Sequence, residues 1–250
     1  MIRAVLFDLV GTLLDEGSDY DALDAVMARV IERFGFAEKP GDLSGAFAVA
    51  LMDRIAAEPH LAEPAAFQSF ESAAKDIFAD LVRARGFVPA SSDVAWFWDA
   101  YVELQRQIWR LYPDARKALK AAKALGLHVG VVTDADRYLA TEIFPVLALE
   151  GTVDAVTTAE EAGYVKPHPA IFRVALAKAG VAPEEAVFVG DSFERDIEGA
   201  RAAGIARVVL VDRHGARTVD VEHRVKDLAK LGRHLERLAK REGGVSGPST

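Results

Sequence analysis

Residues 4–13 read AVLFDLVGTL, an uncharged apolar run that stops on Asp8 and turns at Gly11. A run this short, with no polar position at its start, is the pattern of a strand buried on both sides, as in a parallel sheet. The pattern returns at residues 129–132 (VGVV), 155–157 (AVT), 186–189 (AVFV) and 208–211 (VVLV). Between the last four runs, residues 137–147, 169–179 and 194–203 carry helical spacing, and Gly180 and Gly204 stand where helices stop. Strand and helix alternate. With right-handed crossovers this predicts an α/β fold, a doubly wound parallel sheet with helices on both faces.

The first connection breaks the rhythm, because residues 18–109 are too many for one crossover helix and are almost entirely helical in pattern. Segments 20–34, 43–57, 66–85 and 92–110 are separated by Gly35, Pro40, Pro64 and Pro89. The division expected is a core of residues 1–16 and 111–242, an inserted helical domain at 17–110, and a small polar tail at 243–250 with nothing to bury. All three tryptophans, Trp96, Trp98 and Trp109, fall in the insertion and are expected to pack its helices.

Composition narrows the chemistry. With no cysteine in 250 residues, disulfides, thiolate metal sites and cysteine nucleophiles are excluded. No run reaches the roughly 18 to 20 apolar residues of a membrane span. The first ten residues read as a strand rather than a secretory signal, so a cytoplasmic protein is expected. A net charge of −8 argues against a nucleic-acid surface, which needs clustered basic residues.

In open parallel sheets ligands bind beyond the carboxyl ends of the strands. Asp8 follows the first run, Thr133 with Asp134 the second, and Asp191 the fourth, in VFVGDSFERD; the segment after the third supplies Lys166, in YVKPHP. Two carboxylates brought together repel unless something neutralises them, and a hard cation with oxygen ligands such as Mg2+ does so. A lysine, a hydroxyl and backbone N–H groups near Gly11 would hold an anion. The set suits phosphoryl transfer with Asp8 as nucleophile.

At these residues the sequence resembles the haloacid dehalogenase superfamily, across nearly the whole chain. The family pattern DxDGT is similar to Asp8, Leu9, Val10, Gly11 and Thr12; its second-motif hydroxyl is similar to Thr133, its lysine to Lys166, and its GDxxxxD signature to Gly190, Asp191 and Asp196. The resemblance implies a Rossmann-like core with an inserted helical cap that closes over the site, hinged near Gly17 and residues 111–113. It also implies catalytic Asp8, Thr133 and Lys166, and substrate contacts from Gly11, Thr12, Thr133, Asp134 and Lys166. Mg2+ would be held by Asp8, the Val10 carbonyl and Asp191, with Asp196 assisting directly or through water. The expected partner is a small phosphorylated molecule.

Val10 departs from that pattern, because in family phosphatases an aspartate there protonates the leaving alcohol and then activates water. Such acid–base help is worth roughly a hundredfold to ten-thousandfold. Three readings stay open. One is a phosphohydrolase that is slow, restricted to good leaving groups, or served by Asp15, Asp134 or Asp136. The second is dehalogenase or phosphonatase chemistry; retention of Asp191 argues against the former, and the latter needs a cap lysine, for which only Lys39 and Lys75 are present. The third is a binding or regulatory protein. Elsewhere, His168 is expected to open a helix, His214 and His223 to lie on the surface, and Arg29 and Arg33 to pair with Asp21, Asp24 and Glu32.

Overall fold

The computed structural model describes residues 1–57, 68–149, 151–215 and 221–240. The polar tail at 243–250 and the break at Pro64 lie outside the described residues. Six parallel strands form one sheet in the order β3-β2-β1-β4-β5-β6. They are β1 (Ala4–Phe7), β2 (His128–Thr133), β3 (Ala155–Thr158), β4 (Ala186–Gly190), β5 (Arg207–Val211) and the short β6 (Arg224–Val225), the last unforeseen from sequence.

Alternation along the strands explains why they carry no polar side. Val5 and Phe7 of β1, Val187 and Val189 of β4, and Val209 and Val211 of β5 join one buried cluster; Ala4, Leu6, Ala186, Phe188, Val208 and Leu210 join another on the opposite face. The first face is covered by α5 (Ala115–Ala124) and α9 (Leu231–Lys240), neither singled out in the sequence, through Leu119, Leu231 and Leu235. The second is covered by α7 (Pro169–Ala179) and α8 (Gly199–Ala202), through Ile171, Phe172 and Ala200, while the single turn α6 (Ala159–Ala162) follows β3. His168 caps α7 by accepting the Ala170 N–H, and Gly180 ends that helix in the left-handed conformation, both as expected.

Two expected connectors form differently. Residues 137–147 give only the π-turn Leu139–Ile143 followed by turns, since Pro145 removes an amide donor that a regular helix would use. Residues 194–203 divide into the π-turn Phe193–Glu198 and α8, at a point where Asp196 is drawn toward the end of the sheet.

Between β1 and β2 lie α1 (Glu16–Phe34), α2 (Pro40–Ala57), α3 (Phe70–Arg83) and α4 (Ser91–Ile108). Pro40 opens α2 rather than breaking a helix, as suits a residue without an amide donor. These helices own a separate apolar cluster: Leu23, Met27 and Val30 of α1 meet Phe47, Phe78 and Phe97, and the last two rings stack with centroids 4.4 Å apart. Trp98 lies in this cluster as expected. Arg29 and Arg33 bridge to Glu103 and Asp93 on α4 instead of pairing along their own helix, because α1 and α4 pack side by side. The strands of chain leaving and re-entering the sheet run together, with Leu14 bridged to Leu111 and the Asp15 N–H donating to the Arg110 carbonyl at 2.9 Å.

The helical layer is also tied to the sheet by a cap. Ser69 accepts the Ser72 N–H, and Asp136, just beyond β2, takes the Phe70 and Glu71 N–H groups at 2.9 and 2.7 Å. The first orphan amides of α3 are thereby satisfied. Burial pushes the Asp136 carboxyl up to about 6, against the pull of those two N–H groups. Asp136→Ala is expected to lower stability by about 1–2 kcal/mol, measured by urea unfolding. Because a raised carboxyl favours folding below its unfolded pKa and loses that contribution as pH rises through about 6, the deficit should be larger in acid than at neutrality. A deficit that grows toward neutral pH would contradict this.

Candidate active site

The carboxyl ends of β1, β2 and β4 converge on one cluster of charge. Asp8, held in place by its N–H donating to the Val189 carbonyl at 2.9 Å, is buried at the end of β1. Lys166, also buried, donates from Nζ to Asp8 Oδ1 at 2.5 Å and to Asp196 Oδ1 at 2.6 Å. Burial alone would depress the lysine, but Asp196 and Asp8 more than offset it and hold the ammonium charged well above its ordinary range. Burial raises the Asp196 carboxyl, opposed by Lys166.

Two glycines make this proximity possible. At Gly11, with φ +88°, an added Cβ would stand 2.7 Å from Asp191 Oδ2, and at Gly190 it would stand 2.5 Å from Asp196. Asp8, Asp191 and Asp196 each offer an oxygen, all within 4.8 Å of one another. Asp8 Oδ2 is buried with no hydrogen-bond partner. An orphaned carboxylate oxygen beside two more carboxylates fits a hard divalent cation.

A cavity of about 330 Å3 opens from this cluster toward the helices. Asp8, Val10, Thr133, Asp134, Lys166, Asp191, Ser192, Arg195 and Asp196 line its sheet end; Asp19, Tyr20, Leu23, Phe47, Phe70, Tyr101, Gln105, Trp109 and Tyr138 line the other. Of the residues expected from sequence, Gly11 and Thr12 do not line it. Thr12 stands behind Asp191, donating from Oγ1 to Asp191 Oδ1 at 3.3 Å. Asp134 reaches the cavity, yet Oδ1 accepts the Lys166 N–H at 2.7 Å and Oδ2 pairs with Arg195. Asp15 caps α1 and binds Arg110, and Asp136 caps α3, so neither is a spare carboxylate. Lys39 is exposed and Lys75 pairs with Glu71; neither lines the cavity.

Some roles in the site went unnoticed in the sequence. Trp109 lines the cavity and donates to Asp19 Oδ1 at 3.1 Å, so it does more than pack helices. Arg213, just past β5, donates to the Gly11 and Thr12 carbonyls at 3.3 and 2.7 Å, binds Asp114 with two nitrogens and lies over Tyr112. It fixes the loop that carries Val10. Its place at a strand's carboxyl end was the available signal. His214 is exposed against Glu16 as expected, whereas His223 is half-buried edge-on to His234.

Comparison with known proteins agrees with this geometry. The family model for haloacid dehalogenase-like hydrolases matches residues 2–204. Phosphoserine phosphatase of Thermus thermophilus is 40% identical over 131 residues, 51% of this chain and 52% of that protein. The match thus spans about half the length of that relative. Glyceraldehyde 3-phosphate phosphatase of Methanopyrus kandleri is 29% identical over 215 residues, 83% of each chain. In architecture, L-2-haloacid dehalogenase from Xanthobacter autotrophicus with covalently bound chloropropionic acid superimposes with a TM-score of 0.72 at 20% identity, covering 98% of this chain and 100% of the other. The chain belongs to the haloacid dehalogenase-like hydrolases.

Proposed function

We propose that this hydrolase is a Mg2+-dependent phosphohydrolase that removes the phosphoryl group of a small phosphorylated metabolite through an aspartyl-phosphate at Asp8. The observation that carries this reading is the orphaned Asp8 Oδ2, buried beside Asp191 and Asp196. Asp8, Asp191 and the Val10 carbonyl would hold the cation. Asp196 already accepts from Lys166 and the Ser192 N–H, which supports its assisting through water. Bound there, Mg2+ supplies positive charge against the repulsion between a carboxylate nucleophile and an incoming phosphate.

The side chains divide the remaining work. An Asp8 oxygen forms a bond to phosphorus as the bond to the leaving oxygen breaks; water then attacks phosphorus, releasing Asp8 and inorganic phosphate. Lys166 orients Asp8 through the bond from Nζ to Oδ1. Thr133 accepts the Ala135 N–H at 3.3 Å, which leaves its own O–H to donate to a phosphate oxygen. Helices α1 to α4 serve as a cap, swinging on the paired segments around Leu14 and Leu111; Gly17, expected as a hinge, lies instead in the first turn of α1. Closure would keep bulk water from the cavity.

Three measurements bear on this. With Mg2+, the purified protein is expected to hydrolyse an activated aryl phosphate, to lose that activity with chelator, and to lose at least about a thousandfold in Asp8→Asn; chelator-resistant halide release from a 2-haloacid would overturn the reading. Val10→Asp is expected to raise turnover of alkyl phosphates at least about tenfold, and no gain would mean that position 10 does not face the leaving group or that another acid already supplies the proton in full. Lys166→Met leaves Asp8 and Asp196 buried without their counter-charge, so stability should fall by about 3–5 kcal/mol. Adding Asp8→Asn should recover part of the loss; no recovery would show that Lys166 is not there to balance charge.

A further inference from the structure

We infer that Asp19, reaching into the cavity from α1, carries the proton that an aspartate at position 10 would otherwise carry, an inference that rests on the phosphohydrolase reading. Asp19 and Val10 line the same cavity as the nucleophile Asp8, whose volume of about 330 Å3 suits a single small ligand spanning both ends. The other acids near the turn are occupied. Asp15 accepts from the Gly17 N–H and Arg110, Asp134 from the Lys166 N–H and Arg195, and Asp136 from two amides of α3.

Asp19 differs in its partners. One oxygen accepts the Trp109 indole N–H at 3.1 Å, and no basic side chain among the described residues pairs with it. The titratable groups facing it from the packed elements are Tyr101 on α4 and Tyr138 beyond β2, both raised by burial and therefore neutral at neutral pH. The cations at the sheet end, Lys166 and Arg195, are paired with Asp8, Asp196 and Asp134. Burial pushes the Asp19 carboxyl up to about 6, opposed by the Trp109 hydrogen bond. A proton carrier works best when its pKa lies near the working pH.

The steps balance. As Asp8 bonds to phosphorus and the P–O bond to the alcohol breaks, the Asp19 proton passes to the departing oxygen. The Asp19 carboxylate then takes a proton from the water that attacks phosphorus, restoring both the acid and free Asp8.

The test is steady-state kinetics with Mg2+ on p-nitrophenyl phosphate, whose leaving group needs no proton, and on an alkyl phosphate, for wild type, Asp19→Asn and Val10→Asp/Asp19→Asn. The single variant should lose at least about tenfold more kcat on the alkyl phosphate than on the aryl one. In wild type, alkyl-phosphate kcat/KM should fall as pH rises through about 6, and that limb should be missing in Asp19→Asn. The double variant should regain alkyl-phosphate turnover. Equal losses on both substrates, a change in KM alone, or an unaltered pH profile would overturn the inference. Wild type that hydrolyses neither phosphate would instead sink the phosphohydrolase reading beneath it.

Discussion

The site depends on one buried ammonium. Lys166 Nζ lies between Asp8 and Asp196, and without it two carboxylates would face each other away from water with a third, Asp191, close by. At an effective dielectric of about 20, like charges 4 Å apart repel by about 4 kcal/mol, a large share of a domain's net stability. Much of the surrounding structure serves this contact. Gly190 lets Asp196 approach β4, Gly11 lets Asp191 approach the first turn, and Asp134 anchors the Lys166 backbone. A lysine balances two negative charges only in part, and Asp8 Oδ2 remains without a partner, a deficit that the proposed cation would fill.

The cavity has two chemically different ends, and the contrast bears on what the enzyme can do. At the sheet end, charged groups stand on the loops and turns just beyond the carboxyl ends of buried strands. At the helix end, the wall is mostly aromatic and aliphatic, belonging to a layer with its own apolar cluster and joined to the sheet by paired segments near Leu14 and Leu111. The charged end and the apolar wall of the cavity thus sit on separately packed layers. The Asp136 cap on α3 and the contact of Tyr138 with Phe70 and Trp98 hold those layers in register.

The sheet was legible because buried parallel strands leave short apolar runs with little else to imitate them, and because Asp8, Thr133 and Asp191 each sit at the end of one. Lys166 was legible from the segment after β3. What escaped was set by packing rather than by local pattern. Asp19 reads as an acid in the first turn of α1, where acids suit the helix dipole, and nothing local reveals that Trp109, ninety residues on, will hold it beside the cavity. Arg213 follows β5 without any motif, and its clamp on the Gly11 loop exists only after β5 and β1 share a sheet. The helical spacing of residues 137–147 was real, yet Pro145 and the docking of Tyr138 leave only a π-turn there.

In the proposed reaction Asp8 takes the phosphoryl group itself. Rapid acid quench of the enzyme during turnover of an aryl phosphate with Mg2+, followed by peptide mass analysis, tests it most directly. A phosphoryl adduct on Asp8 should accumulate in the first turnover and be absent in Asp8→Asn. A burst of phenol release with the adduct on another residue, or steady turnover that persists in Asp8→Asn, would contradict it.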